Sequence, residues 1–401
     1  MTSLITDVLT ERAERAGSPV LDLDRIAADG EHRARRARVT RIAGASGVGL
    51  LAAATVGAVV LAGLDGSPGR SATGPDVAGA PSSAPAAPVP VSRMLSYATG
   101  ESIVVPQADL ELRAGKRVAS FVPVDDGFVW MAPEGAVSFL PSDGGASTTI
   151  GLTEPSGGAL RAENDGSLVA WIDFAVTGGP ELVVHDTATG AEVLRTGENL
   201  DADADAYRDS PNPAYVYAVD RGSVYWRNSA GAVRTEVATG RSEVLDPDAG
   251  GFRIGDVAAG QIASTASTGE GDARDDSATR VGPGLSGGTV LPWSGNDHLS
   301  PDARSMSFED EDELVVVDVA TGREVGPENP GYDYWVVTQW VGSDTVAVLG
   351  IRDIAALDNP DGPDTAPLEF LTCEIPDGAC TVVAEDEIDL NAFAIPVGET
   401  S

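Results

Sequence analysis

The sequence predicts an all-β fold, a β-propeller of six four-stranded blades with seven as the alternative count, preceded by one transmembrane helix and a Pro/Ala/Gly/Ser-rich linker. Three observations lead there. Between Arg93 and Ser401 no stretch keeps a helical apolar period; short runs rich in Val, Ile, Tyr, Phe and Trp alternate instead with turn clusters such as DDG, NDG, ATG and PDG. The runs recur: VASFVPV from 118, SLVAWID from 167, AYVYAVD from 214, QIASTAS from 261, ARSMSFE from 303 and DTVAVLG from 344, a spacing of about 41 to 50 residues that suits one four-stranded unit. A hairpin signature also repeats, as ELVVHDTATGAEVL (181–194), AVRTEVATGRSEVL (232–245) and ELVVVDVATGREVG (313–326).

Before the repeats come three shorter zones. Residues 1–41 carry eight Arg and seven acids and form the cytoplasmic tail, in which Leu4, Ile5, Val8 and Leu9 suit one short amphipathic helix. Residues 42–64 hold no charge over 23 positions, which at about 1.5 Å per residue spans the hydrocarbon of one bilayer. Arg33, Arg35, Arg36, Arg38 and Arg41 crowd its N-terminal side, so the N-terminus faces the cytoplasm and the C-terminal domain the outside. The long leading segment and the lack of a small-x-small site favour an uncleaved anchor over a signal peptide. Residues 65–92 lack large apolar side chains and read as a stalk.

Within the domain expected at 93–401, Gly190, Gly240 and Gly322 supply the positive φ of the hairpin turns, a structural role rather than a phosphate cradle. Hairpin units that cannot bury both sheet faces alone are satisfied by closure into a ring. The unit around 253–293 is degenerate, and the extra strand material at 99–113 (TGESIVVPQADLELR) is available to complete the last blade; these two segments decide between six and seven.

Composition excludes some functions. The net charge of −36, with Lys116 the one lysine, repels polyphosphate, so nucleic acid is not an expected partner. Two cysteines and three histidines are too few for a disulfide scaffold or a zinc cluster, and no cofactor is expected. Cys373 and Cys380 flank a PDG turn in FLTCEIPDGACTVV, which predicts a cross-strand disulfide and an oxidising compartment.

LSPDARSMSFEDEDELVVVDVATGREV (299–325) resembles a blade of the TolB-like and WD-repeat-like propellers, through its SPDARS turn, alternating strand and DVATG hairpin. That resemblance implies fold, not activity. LDLDRIAADGEHRARRARVTRIAG followed by an Ala/Gly-rich span resembles actinobacterial single-span proteins encoded beside extracytoplasmic-function sigma factors, which implies such a factor as a partner of the tail.

Candidate chemistry is sparse. His185, in ELVVHDTATG, reads as a blade-edge strand residue; His298, with Asp297 and Ser300 nearby, precedes a turn, and no G-x-S-x-G elbow occurs to make a triad. Asp201, Asp203, Asp205 and Asp209 offer calcium-like oxygen ligands, but Ala206 and Asn212 break the EF-hand pattern, so a solvated acidic loop is the better reading. Tyr332, Tyr334, Trp335 and Trp340 are either a stacking platform for sugars or peptides or, as strand aromatics, part of the core between blades. The sequence therefore predicts a non-enzymatic, membrane-anchored extracellular propeller that binds, senses or scaffolds in the cell envelope. Its alternatives are a transmembrane regulator whose tail holds a sigma factor and an extracytoplasmic enzyme with an unrecognised site.

Overall fold

The computed structural model describes residues 89–396 except 154–159, 165, 175–178, 201–213, 248–251, 267–277, 294–297, 311–312 and 354–364. The tail, the apolar segment 42–64 and the linker up to residue 88 lie outside the described residues. Among the described residues no helix is long and apolar enough to cross a membrane.

Seven four-stranded antiparallel sheets form a β-propeller. From the axis outward, blade 2 begins at Ser120–Val124, blade 3 at Arg161–Ala162, blade 4 at Tyr215–Asp220, blade 5 at Phe252–Ala258, blade 6 at His298–Leu299 and blade 7 at Tyr334–Gly342. Blade 1 is composite: Tyr97–Thr99, Ser102–Val105 and Leu110–Arg113 come from the N-terminal side, and the inner strand Phe393–Ala394 from the other end of the chain.

The count of seven corrects the expectation of six. The segment 99–113 does not complete the last blade but supplies most of a blade of its own. The degenerate unit at 253–293 is a whole blade, with strands from Phe252 to Leu291.

Blade packing follows from the period-2 alternation of strand side chains. In blade 4, Val224 and Trp226 of Ser223–Asn228 face the core shared with blade 3, while Tyr225 between them faces blade 5. Seven apolar clusters result, one for each interface between neighbouring blades. Trp171, Trp226 and Trp335 are their largest fully buried side chains.

The repeated hairpins join the third and fourth strands of blades 3, 4 and 6, and Gly190, Gly240 and Gly322 adopt φ of 68°, 66° and 65°. Asp186 and Asp318 accept hydrogen bonds from Thr189 Oγ1 (2.8 Å) and Thr321 Oγ1 (2.6 Å), which explains the aspartate and threonine of the motif.

Tight turns join first and second strands. In blade 5, Ala259 and Gly260 both have positive φ, 50° and 75°, the geometry for which Asn-Gly is preferred. Ala259→Asn is therefore expected to add about 0.5–1 kcal/mol to unfolding free energy, measured by urea titration. A loss would show that the contacts of the Ala259 methyl outweigh its backbone strain.

The last residues of the expected linker belong to the propeller. Val91 and Ser92 are buried in a short 3-10 turn, Val91–Arg93, and the segment leading into blade 1 is clamped by the buried Gln339. Gln339 Nε2 donates to Met94 O (2.7 Å), and its Oε1 accepts from the Ser96 backbone N–H (3.3 Å).

Cys373 and Cys380 stand directly opposite each other on the outer two strands of blade 7, with Cα atoms 4.0 Å apart, and form the disulfide. Gly378 of the PDG turn has φ 70°. Because the bridge closes a short loop, its reduction is expected to lower stability by about 2 kcal/mol, read as a shift in denaturant midpoint on adding reductant. An unchanged midpoint would mean that the hairpin is equally ordered without the bridge in both states.

Candidate functional site

The inner strands converge on a cavity of about 50 Å³ lined by Arg161, Glu163, Tyr217, Asp256, Trp340 and Ser92 among others. At roughly 10–15 Å³ per ordered water, that is room for three to five waters. Five blades and the N-terminal turn contribute to its wall, so its geometry depends on ring closure.

Arg161 is only 6 % exposed. Its Nε donates to Tyr217 O (3.0 Å), its Nη1 to Leu160 O (3.1 Å) and its Nη2 to the Tyr215 hydroxyl, and the guanidinium lies 5.3 Å from the Tyr215 ring centre. All three acceptors are neutral, and among the described residues no carboxylate ion-pairs with it directly.

Asp256 is half-buried in the cavity wall. Its two oxygens accept the backbone N–H of Val257 (2.7 Å) and, across the blade boundary, of Leu299 (2.8 Å). Burial pushes its carboxyl up to about 6, against the opposing pull of those hydrogen bonds and of Arg161.

Asp256 is one member of a girdle in which an acid of one blade holds the backbone or a hydroxyl of the next. Asp126 accepts from Thr187 Oγ1 (2.9 Å), Glu163 from Gly222 N (3.1 Å), and Asp220 from Ala259 N (3.1 Å) and Gly260 N (2.8 Å). Asp125 accepts from Ser92 Oγ of the N-terminal turn (2.7 Å). Burial also raises the Glu163 and Asp220 carboxyls.

Sequence reasoning missed Arg161, Glu163 and Asp256. Arg161 sits on a two-residue strand with no visible period, Glu163 looks like an ordinary acid beside the NDG turn, and Asp256 lies within RIGDVAAG of the degenerate unit. The one local signal was an isolated Arg between apolar residues in ALRAEND.

The residues that the sequence did single out are not brought together. His185 lies on the third strand of blade 3, buried rather than at the blade edge as expected, because that strand is flanked on both sides. Burial lowers its imidazole. His298 is on the inner strand of blade 6, where burial depresses it to about 3 and, among the described residues, neither ring nitrogen has a hydrogen-bond partner. Ser300 is fully buried and bound within its turn, its Oγ donating to Asp302 Oδ1 (2.9 Å) and accepting from Ser305 N (3.0 Å). Asp297, Asp201, Asp203, Asp205 and Asp209 lie outside the described residues. Among the described residues no group of three or more His, Cys, Asp or Glu could hold a metal ion.

The aromatic run fills the core. Tyr334 faces blade 1, whereas Tyr332, Trp335 and Trp340 pack between blades 6 and 7. Tyr332 stacks on Trp335 with ring centres 5.4 Å apart, and Arg352 covers it at 4.4 Å. A Cβ on Gly350 would fall 2.6 Å from the Tyr332 ring, so that glycine makes the stack possible.

The molecule is thus a seven-bladed β-propeller with a polar axial cavity. No known protein family matches the chain. No curated protein matches it either. Solved structures share the architecture at low identity. The tricorn protease is 14 % identical over 71 % of this chain, with a TM-score of 0.42, and this chain spans only 33 % of it. The β-propeller domain of the Trilobed protease from Pyrococcus furiosus is 11 % identical, covering 71 % of this chain and 88 % of that one, with a TM-score of 0.44. A putative TolB from Agrobacterium tumefaciens is 12 % identical, covering 74 % and 91 %, with a TM-score of 0.35. These likenesses concern the fold alone.

Proposed function

We propose that the chain is a membrane-anchored extracytoplasmic binding and sensing module of the cell envelope, without chemistry of its own, whose ligand surface is the propeller rim and axial cavity. The observation that carries this reading is the axial cavity itself. It gathers Arg161, Glu163 and Asp256 from blades 3 and 5, each fixed by backbone or hydroxyl partners in a way that suits holding a ligand.

The anchor rests on the uncharged segment 42–64 and its arginine flank, and the Cys373–Cys380 bridge supports an oxidising compartment. The SPDARS turn, with Ala303 at φ 56° and Ser300 bonded to Asp302, supports a TolB-like blade 6.

Crosslinking and mass spectrometry on the native membrane fraction, combined with protease treatment of intact cells, tests this reading. External protease should remove the propeller, and the propeller should crosslink to envelope partners. Recovery of the whole chain from the soluble cytoplasm would overturn the anchored topology. Crosslinks confined to a transcription factor on the tail would favour the regulator instead.

A further inference from the structure

Resting on the reading of the axial cavity as a ligand site, we propose that it takes a compact zwitterion, an amino-carboxylate of glycine or β-alanine size. Its carboxylate would lie on Arg161 and its ammonium against Asp256 and Glu163.

Charge is the first argument. A guanidinium only 6 % exposed is costly to bury, and in this chain its hydrogen bonds go to two carbonyls and a phenol, none of which neutralises it. Of its five N–H donors, three are used within the described residues, which leaves two for an acceptor in the cavity that Arg161 lines. A carboxylate is the acceptor whose geometry and charge match.

The same cavity carries the complementary charge. Asp256 and Glu163 line the same cavity, and each accepts backbone N–H groups with oxygen lone pairs to spare. Two carboxylates in one cavity with a guanidinium disfavour a bare anion, and the guanidinium disfavours a bare cation. A molecule with one charge of each sign satisfies both kinds of group.

Size and shape set the upper limit. A cavity of about 50 Å³ between Trp340 and Tyr217 has no room for a bulky side chain. Water alone is the competing occupant, and the test separates it from the zwitterion.

The experiment uses the full chain in nanodiscs, with ligand-observed NMR and thermal shift against glycine, β-alanine, acetate and methylammonium at constant ionic strength. Glycine or β-alanine is expected to bind at least tenfold more tightly than acetate or methylammonium, each of which satisfies one charge only. Arg161 also ties Leu160, Tyr215 and Tyr217 together, so its replacement risks misfolding. Glu163→Gln keeps an amide oxygen for Gly222 N and is expected to weaken binding roughly tenfold while the thermal transition stays cooperative.

Equal binding of acetate and glycine, equal binding of methylammonium and glycine, or no binding of any of the four at millimolar concentration would each overturn the proposal. Envelope crosslinks of the propeller with no zwitterion binding would sink this inference alone and leave the binding-module reading intact.

Discussion

Truncation after Ala392 is expected to abolish the cooperative unfolding transition of the propeller, and Phe393→Ala alone to cost about 3–5 kcal/mol. The ring has one seam, and it is in blade 1. There Phe393–Ala394 pairs with Tyr97–Thr99 through only two residue pairs, Ala98 with Ala394 and Thr99 with Phe393. The seam is held mainly by side chains. Phe393, Ala394 and Ile395 are all buried, and Phe393 packs 6.2 Å from Phe370 of blade 7 and 6.5 Å from Tyr97, which itself stacks on Phe370 at 4.2 Å.

Removing these residues exposes two clusters at once, the one shared with blade 7 and the one shared with blade 2. A domain whose whole stability is on the order of 5–15 kcal/mol cannot absorb that loss. Urea unfolding followed by tryptophan fluorescence measures both variants. A truncated chain that still unfolds in one sharp transition would mean that the Gln339 clamp and the N-terminal strands close the ring without the last strand.

The same seam explains why the sequence reading stopped short of seven. The glycine hairpins were legible because everything that specifies them is local: an acid, a threonine and a glycine within five residues. The aromatic run was legible as core because nine residues of alternation suffice to place Tyr334 and Trp335 on opposite faces. Blade 1 was not legible, since its inner strand is two residues long and its partner lies almost three hundred positions earlier; no local pattern encodes that pairing. Blade 5 was obscured for another reason. Its third and fourth strands are separated by PGLSGG, where the glycines make the turn possible and also dilute the apolar signal.

The axial site was the least legible part. Arg161, Glu163 and Asp256 are ordinary surface residue types, and only the ring brings them to one cavity. His185 illustrates the opposite case: a polar residue placed at an edge by its type that tertiary packing encloses on the third strand.

The imidazole of His298 leads to the second large effect, an increase in stability on replacement. Both ring nitrogens are buried without a partner among the described residues, which for a polar group costs about 1–3 kcal/mol. His298→Leu, of similar volume, is therefore expected to stabilise the propeller by about that amount at neutral pH.

The pH profile of this variant carries a sharper signature. In the folded chain His298 is depressed to about 3, so it stays neutral while the unfolded chain takes up a proton below its ordinary value of 6.5. Its contribution to stability is complete above 6.5 and is lost as pH falls from there. Asp256 has the opposite sign. Raised to about 6 from an ordinary 3.8, it binds its proton first in the folded chain, so its contribution grows as pH falls from about 6 to about 3.8.

In the native protein these two slopes largely cancel over the mildly acidic range. Removing His298 exposes the Asp256 slope. The advantage of His298→Leu over the native chain is expected to widen by about 1.4 kcal/mol per pH unit below 6.5, hence by about 2 kcal/mol at pH 5 relative to pH 7.5. Taking the difference between the two proteins cancels every carboxylate that they share. Urea titrations at pH 7.5, 6.5, 5.5 and 5 measure it directly. A difference that stays constant with pH would mean that His298 is protonated in the folded state, and a variant less stable than the native chain at pH 7.5 would mean that its nitrogens are satisfied by bound water.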